Sequence, residues 1–340
     1  MTTKIIFDLS KEYPLLAHDE IISCLKAEHH SFSITSYNED ALILSVDLTD
    51  NQIDYFAQRL SMSFSIGRLL FSSPPILAEI KHKSKNHPLS TTGTIAIRSR
   101  NRSESQPSKK FVRAVADVYT QTRKVDLTHP ENIIFLLITD KSIHVSEQKA
   151  AINRSDFEQR KAHLRPFFSP ISLHPKIARA LVNICRVKPN EYVLDPFCGT
   201  GGFLLEAGLM NMNVIGSDIS KDMVDGAKQN LKSYNITPYQ MISADITDVP
   251  DQLSQKVDAI VTDLPYGKAT STQGEEIQSL YVRAMQSIQR MLKPGKRAVV
   301  GTFSEQLKNY SFQSLVHKIS YPLRVHKSLT RWFHVFEQTP

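Results

Sequence analysis

From residue 169 to the C-terminus the chain repeats one pattern: a short apolar run, a turn carrying an acid or glycines, then a stretch of helical period. Runs at 192–194, 214–216, 240–243, 259–262 and 298–301 read as strands, and 175–185, 203–210, 223–234 and 275–292 read as helices. Strict alternation of this kind predicts a doubly wound α/β sheet, because parallel neighbours need a crossover helix between them. A further helix is expected near 305–319. Strand-like runs at 323–329 and 332–336 then close the sheet as an antiparallel hairpin.

The strand ends carry the chemistry. "VLDPFCGTGGFL", residues 193–204, places glycines between a strand and a helix. A dinucleotide-binding turn would want glycine or alanine at 204, where this chain has leucine. Asp195 also puts a carboxylate where a pyrophosphate needs positive potential. A carboxylate there suits a cationic ligand instead, such as the amino group and sulfonium of S-adenosylmethionine. Gly199, Gly201 and Gly202 let the backbone approach such a ligand closely. Asp218 closes the next strand, a spacing that suits an acid accepting both ribose hydroxyls. Asp245 follows the third strand, where a side chain could reach an adenine amino group; an ordinary loop acid is the competing reading. Asp263 closes the fourth strand. Acids at successive strand ends say more together than any one alone.

The N-terminal half is organised differently. Strands at 4–9, 33–37, 41–46 and 64–71 with helices at 15–28 and 52–60 give a β-α-β-β-α-β ferredoxin-like unit over residues 1–73. Residues 74–150 form a second unit: a strand at 94–98, a helix opening at Pro107-Ser108 with Ser108 as N-cap, and strands at 132–139 and 141–146. The apolar face of that helix is Phe111, Val115, Val118 and Tyr119. Residues 151–168 read as a connector and 169–340 as the α/β domain.

Charge separates these parts. The chain carries +7 overall, yet residues 81–113 hold nine Lys/Arg against one acid, Glu104, which leaves the rest nearly neutral. A basic segment on a near-neutral body points to a polyanion partner, with a solvated surface as the plain alternative. Lys109 and Lys110 fall in the first turn of their helix, where the macrodipole disfavours cations unless an anion docks there. No apolar run approaches the length of a membrane span, and the N-terminus lacks the apolar core of a signal peptide. Three scattered cysteines offer neither a disulfide framework nor a zinc pattern, so a reducing cytoplasm is expected and no metal. Cys198 reads as a small loop residue, not a nucleophile.

"DPFCGTGG", "SD", "AD" and "DLPYG", in this order, resemble the motifs of Rossmann-fold S-adenosylmethionine-dependent amino-methyltransferases. The whole arrangement resembles the tRNA guanine-N2-methyltransferase family acting on guanine 10, in its archaeal and eukaryotic branch. In that family a ferredoxin-like domain and an RNA-binding THUMP domain precede the catalytic domain; "KVDLTHPE" at 124–131 resembles the THUMP signature, and "HKSLTRWFHVFE" the C-terminal hairpin. The resemblance implies a cofactor site of Pro175, Asp195, Phe197, Gly199, Thr200, Gly201, Asp218, Asp245, Ile246 and Asp263. It implies a catalytic group of Asp263, Leu264, Pro265 and Tyr266, and tRNA as partner, for which Lys81, Lys83, Arg98, Arg100, Lys109, Lys110 and Arg113 are candidate contacts. Some eukaryotic members work with a small activator subunit.

The residues of "DLPY" suit that chemistry. The N2 lone pair of guanine is delocalised into the ring, so the amine must pyramidalise before it attacks. Asp263 and the main-chain carbonyl of Leu264 are two acceptors that could hold both N–H groups in that geometry. Pro265 fixes the turn, and Tyr266 offers a face on which an extruded base stacks. Leucine at 264, where relatives commonly carry proline, keeps the carbonyl and puts the stiffness of the loop in question. Lys268 and Thr270 could touch substrate phosphate, solvation being the ordinary alternative. Competing readings are a guanine elsewhere in tRNA or in rRNA, DNA base methylation, and a non-catalytic RNA-binding module.

Overall fold

The computed structural model describes residues 3–169, 172–265, 276–326 and 329–340. The chain divides into two compact units: residues 1–18, 30–58 and 63–153 form the first, and residues 19–29, 59–62 and 154–340 the second.

The first unit contains β1 (Lys4–Leu9), α1 (Pro14–Ala27, its later turns belonging to the second unit), β2 (Phe32–Tyr37), β3 (Ala41–Val46), α2 (Asp50–Arg59) and β4 (Ser63–Ser73). It continues with α3 (Leu77–Asn86), β5 (Ile95–Asn101), α4 (Ser108–Tyr119), β6 (Asn132–Ile138) and β7 (Ile143–Ala151). Among the described residues the strands form one sheet ordered β2-β3-β1-β4-β7-β6-β5. The order β2-β3-β1-β4 is the ferredoxin-like one. Antiparallel pairing of β4 with β7, from Ser65↔Ala151 to Ser73↔Ile143, continues the same sheet into the following strands.

Two local expectations change here. Pro107, extended at ψ 93°, is the N-cap of α4 and Ser108 its first helical residue, with no side-chain cap, so the helix starts one residue earlier than a Ser108 cap would give. Helix α3 was not foreseen, because its lysine-rich sequence buries only Ile80 and Ser84.

The second unit holds α5 (Ser155–Gln159), α6 (Pro175–Ile184), β8 (Tyr192–Asp195), α7 (Gly202–Gly208), β9 (Asn213–Asp218), α8 (Lys221–Ser233), β10 (Gln240–Ser243) and α9 (Val249–Gln252). It ends with β11 (Val257–Asp263), α10 (Ile277–Met291), β12 (Leu292–Thr302), β13 (Leu315–His326) and β14 (Leu329–Gln338). Its sheet is ordered β10-β9-β8-β11-β12-β14-β13, parallel from β10 to β12, with β14 antiparallel to both β12 and β13. Helices cover both faces, and β11 is accordingly buried along nearly its whole length. The parallel strands bring the C-terminal ends of β8, β9, β10 and β11 to one edge.

The helix expected over 305–319 is absent: residues Glu305–Asn309 make a 3-10 turn and Leu315 onward is strand β13. Leu315, His317, Ile319, Tyr321 and Leu323 turn inward while Val316, Lys318 and Pro322 turn out, a period of two. Residues 151–168, expected as a connector, carry α5 and the buried Arg160 and Arg165. Among the described residues no helix is long and apolar enough to cross a membrane.

Candidate active site

The loop after β8 is held at almost every step. The Phe197 N–H donates to Asp195 Oδ1 (3.2 Å), the Cys198 N–H to the Ser217 carbonyl (2.8 Å) and the Gly199 N–H to Asp218 Oδ2 (2.9 Å). Gly199 has φ +48° and Gly201, the N-cap of α7, φ +79°. Both are left-handed conformations that favour glycine. A Cβ at Gly199 would meet open space, so the loop leaves room on that side. Behind the loop, buried Asn230 of α8 donates to the carbonyls of Thr200 and Phe167 and accepts from the Phe167 N–H, each at 2.9 Å. The sequence did not single out Asn230; a lone asparagine inside a helix gives no sign of the loop it ties.

Asp195 is 2% exposed, and burial pushes its carboxyl up to about 8. The Phe197 N–H opposes that rise, and the neighbouring carboxylates of Asp218 and Asp263 add to it. Burial also raises Asp218, although its oxygens accept the Ser220 and Gly199 N–H groups. The carboxyl groups of Asp218 and Asp263 lie close enough to Asp195 to disturb it, and a cation docking at this acidic edge would favour the ionised forms. Asp245 stands apart in character. Burial would raise it, but the N–H and hydroxyl of Thr247 and the Arg283 guanidinium hold it below its ordinary value, all three bonding to Oδ1. Arg283, on α10, had no sequence signal.

The remaining expected residues occupy structural places around this edge. Ile246 is buried in the core that lies against α10, and Phe197 packs on the same core. Thr200 is buried in the loop, with its hydroxyl 3.5 Å from that of Ser172. Pro175 is the first residue of α6, buried, with His174 as N-cap. Burial raises the Cys198 thiol well above its ordinary range, which removes it as a thiolate.

Asp263 ends β11 opposite Gly301 of β12, and Arg331 of β14 donates from Nη1 to its Oδ2 at 3.0 Å. Leu264 is fixed twice: its N–H donates to the Gly301 carbonyl (2.9 Å) and its side chain is fully buried against α10. Burial and this bond anchor Leu264 itself at the strand end. Pro265 is half-buried; Tyr266, Lys268 and Thr270 lie outside the described residues.

In the first unit the basic residues differ in how committed they are. Arg100 sits 3.8 Å over the Phe64 ring and pairs with Asp8, which Arg102 also binds. Lys83 donates to the Ser72 carbonyl (2.8 Å) and Lys81 lies 3.8 Å from Asp117. Arg98 is exposed with a bond to the Leu127 carbonyl, and Lys109, Lys110 and Arg113 are exposed on the first half of α4.

A parallel sheet with helices on both faces, an acid closing each of β8, β9 and β11, and an antiparallel strand slotted in next to its last parallel strand together define an α/β methyltransferase domain. The family model described as RMKL-like methyltransferase domain matches residues 162–331, and a DNA methylase model matches 11–229, stopping short of Asp263. The crystal structure of TrmN from Thermus thermophilus aligns with a TM-score of 0.57 at 17% identity, over 98% of this chain and 99% of that one. That likeness establishes fold alone. A tRNA (guanine(10)-N2)-dimethyltransferase of Methanothermobacter thermautotrophicus is 33% identical over 97% of this chain and 98% of its own length. One of the same name from Pyrococcus abyssi is 35% identical over 65% of this chain and 66% of its own. The chain belongs to this tRNA guanine-N2-methyltransferase family.

Proposed function

We propose that the protein methylates the exocyclic N2 amine of a guanine in tRNA, guanine 10 in particular, using S-adenosylmethionine. The observation that carries this is the placement of Asp263 and Leu264 beside the acidic edge of the sheet, in a chain related end to end to an enzyme named for that reaction. Asp195, Asp218 and the open side of Gly199 fit the donor: a buried carboxyl for its cationic end, an acid for the ribose, and space where a side chain would intrude. When bound, the donor supplies a methyl group on a sulfonium. The chain's part is positioning: Asp263 and the Leu264 carbonyl accept the two N–H groups of the amine, freeing its lone pair to point at the methyl carbon. Proton loss from the developing ammonium needs no strong base. The test is incubation of unmodified tRNA with isotopically labelled donor, followed by nucleoside analysis. Label in N2-methylguanosine or its dimethyl form supports the reading, and transfer to duplex DNA alone would overturn it. Replacing guanine 10 in the transcript separates that position from other guanines of tRNA or rRNA.

Within this reading, residues 1–73 are the ferredoxin-like domain, 74–150 a THUMP domain that grips tRNA, 151–168 the connection, and 169–340 the catalytic domain, working in the cytoplasm. Of the candidate RNA contacts, Lys81, Arg98, Lys109, Lys110 and Arg113 are exposed. Replacing Lys109 and Lys110 together by alanine is expected to weaken tRNA binding evenly across sequences. The slope of log affinity against log salt should fall by about 1.5, as for two lost phosphate contacts. An unchanged slope in filter-binding titrations would remove these lysines from the interface.

Asp195 gives a pH signature. Its carboxyl keeps its proton up to about 8, so a cation binding beside it must displace that proton. Donor affinity should therefore rise with pH, by up to about 50-fold between pH 6 and pH 8, and level off above. The sign for folding is the opposite one. The unfolded carboxyl ionises near 3.8, so the folded, donor-free protein holds a proton that the unfolded chain has lost, and stability declines as pH climbs toward 8. Calorimetry across this range, with Asp195→Asn flattening the dependence, is the check; a pH-independent affinity in the unmodified protein would reject Asp195 as the cation's partner.

A further inference from the structure

The carboxylate at the end of β11 does not stand alone on its strand. Asp263, Gly301 and Phe333 occupy one row across β11, β12 and β14, through the register pairs Asp263↔Gly301 and Gly301↔Phe333. Arg331 lies two residues from Phe333 on β14, hence on the same face, the diagonal neighbour of that row. A Cβ added to Gly301 would lie 2.5 Å from Asp263 Oδ1 and 2.6 Å from Phe333 Cε1. The missing side chain of Gly301 is therefore the space that the Asp263 carboxylate leans across to reach Arg331, whose Nη1 meets Oδ2 at 3.0 Å. Arg331 is itself buried, with its guanidinium 5.6 Å from the Phe303 ring. Both residues belong to the same compact unit.

We infer that Arg331, admitted across Gly301, is the positioning residue for Asp263: it fixes the orientation of the carboxylate at the end of β11, so that the group is already turned when the substrate amine arrives. This rests on the proposed role of Asp263. The physical case has two parts. A carboxylate side chain has two torsions, and a charge-assisted contact from a buried guanidinium removes much of that freedom before substrate arrives. The guanidinium is itself held by burial, so the direction in which it pulls the carboxylate is set by the fold. The antiparallel hairpin thereby acts on the reaction as well as completing the sheet.

Arg331→Met, which keeps bulk and removes charge, is expected to lower kcat about 30-fold, with the donor Kd and the tRNA KM within threefold of the unmodified values. Arg331→Lys should recover part of that loss. Gly301→Ala, which leaves both charges in place, should lower kcat comparably by displacing the carboxylate. The decisive measurement is a double-mutant cycle. In an Asp263→Asn background, adding Arg331→Met should cost less than about twofold, because the group it positions is already altered. Donor titrations and melting curves on each variant separate loss of fold from loss of positioning.

A kcat for Arg331→Met near the unmodified value would overturn the inference. So would an undiminished further loss in the Asp263→Asn background, or an effect confined to the tRNA KM. Failure of the underlying reading is distinct: Asp263→Ala would then retain activity, whatever the result at Arg331.

Discussion

Asp263→Ala is expected to lower kcat by about 10³-fold while leaving the donor Kd within a few fold. The size follows from what the side chain is asked to do. Guanine N2 becomes nucleophilic only when its lone pair leaves conjugation with the ring, so an acceptor that binds the pyramidal amine more strongly than the planar one acts on the transition state selectively. Loss of one such preorganised partner costs about 3–4 kcal/mol in comparable sites, two to three powers of ten. Asp263→Asn keeps an amide oxygen as acceptor but loses the charge that Arg331 grips at 3.0 Å, so it should fall between the alanine variant and the unmodified enzyme. The alanine variant also removes the carboxylate that buried Arg331 pairs with, so its melting temperature should drop as well. Single-turnover rates with saturating tRNA isolate the methyl-transfer step from product release. Activity within threefold of the unmodified enzyme would leave Asp263 as a structural acid and end the proposed mechanism.

Much of the acidic edge of the sheet was legible because strand ends are local features. Asp195, Asp218 and Asp263 each terminate an apolar run, and the parallel arrangement that alternation demands brings such termini to one edge. What the sequence could not carry were the partners, since Arg331, Arg283 and Asn230 meet Asp263, Asp245 and the glycine loop only through tertiary structure. The misplaced helix has a different cause. Leu315, Ile319 and Leu323 are spaced by four, and a spacing of four keeps residues on one side in a helix and in a strand alike. The residues between decide it: His317 and Tyr321 share that face in the strand and would leave it in a helix. Leucine at position 264 shows a related limit. Its carbonyl could be credited from sequence, but its anchoring is read only from its burial against α10.

Glu206→Ala should destabilise the second unit by about 3–5 kcal/mol, the largest effect on stability expected here. Glu206 lies on α7, one turn from the glycine loop, and is completely buried. Its Oε1 accepts from Arg160 Nε at 2.7 Å, and its Oε2 accepts from Arg160 Nη2 at 3.1 Å and from Arg179 Nε at 2.8 Å. Both guanidinia lie over the Phe157 ring, at 4.4 and 5.3 Å. Nearby, Arg165 is buried too, its Nε donating to the Arg160 carbonyl and its two terminal nitrogens without an acceptor among the described residues. The intact cluster adds little net stability, because desolvating its charges offsets most of their attraction. Removing the anion that Arg160 and Arg179 share is another matter, since it leaves those cations facing one another in a site that water hardly reaches. Glu206→Gln, which still accepts hydrogen bonds, should cost less, and Glu206→Ala combined with Arg160→Met and Arg179→Met should recover much of the loss. Urea unfolding at constant m-value measures all three. A loss under 1 kcal/mol for Glu206→Ala would mean that the arginines turn to solvent at little cost. Because α7 begins at Gly202, any such reorganisation should register first as weaker donor binding, before global unfolding.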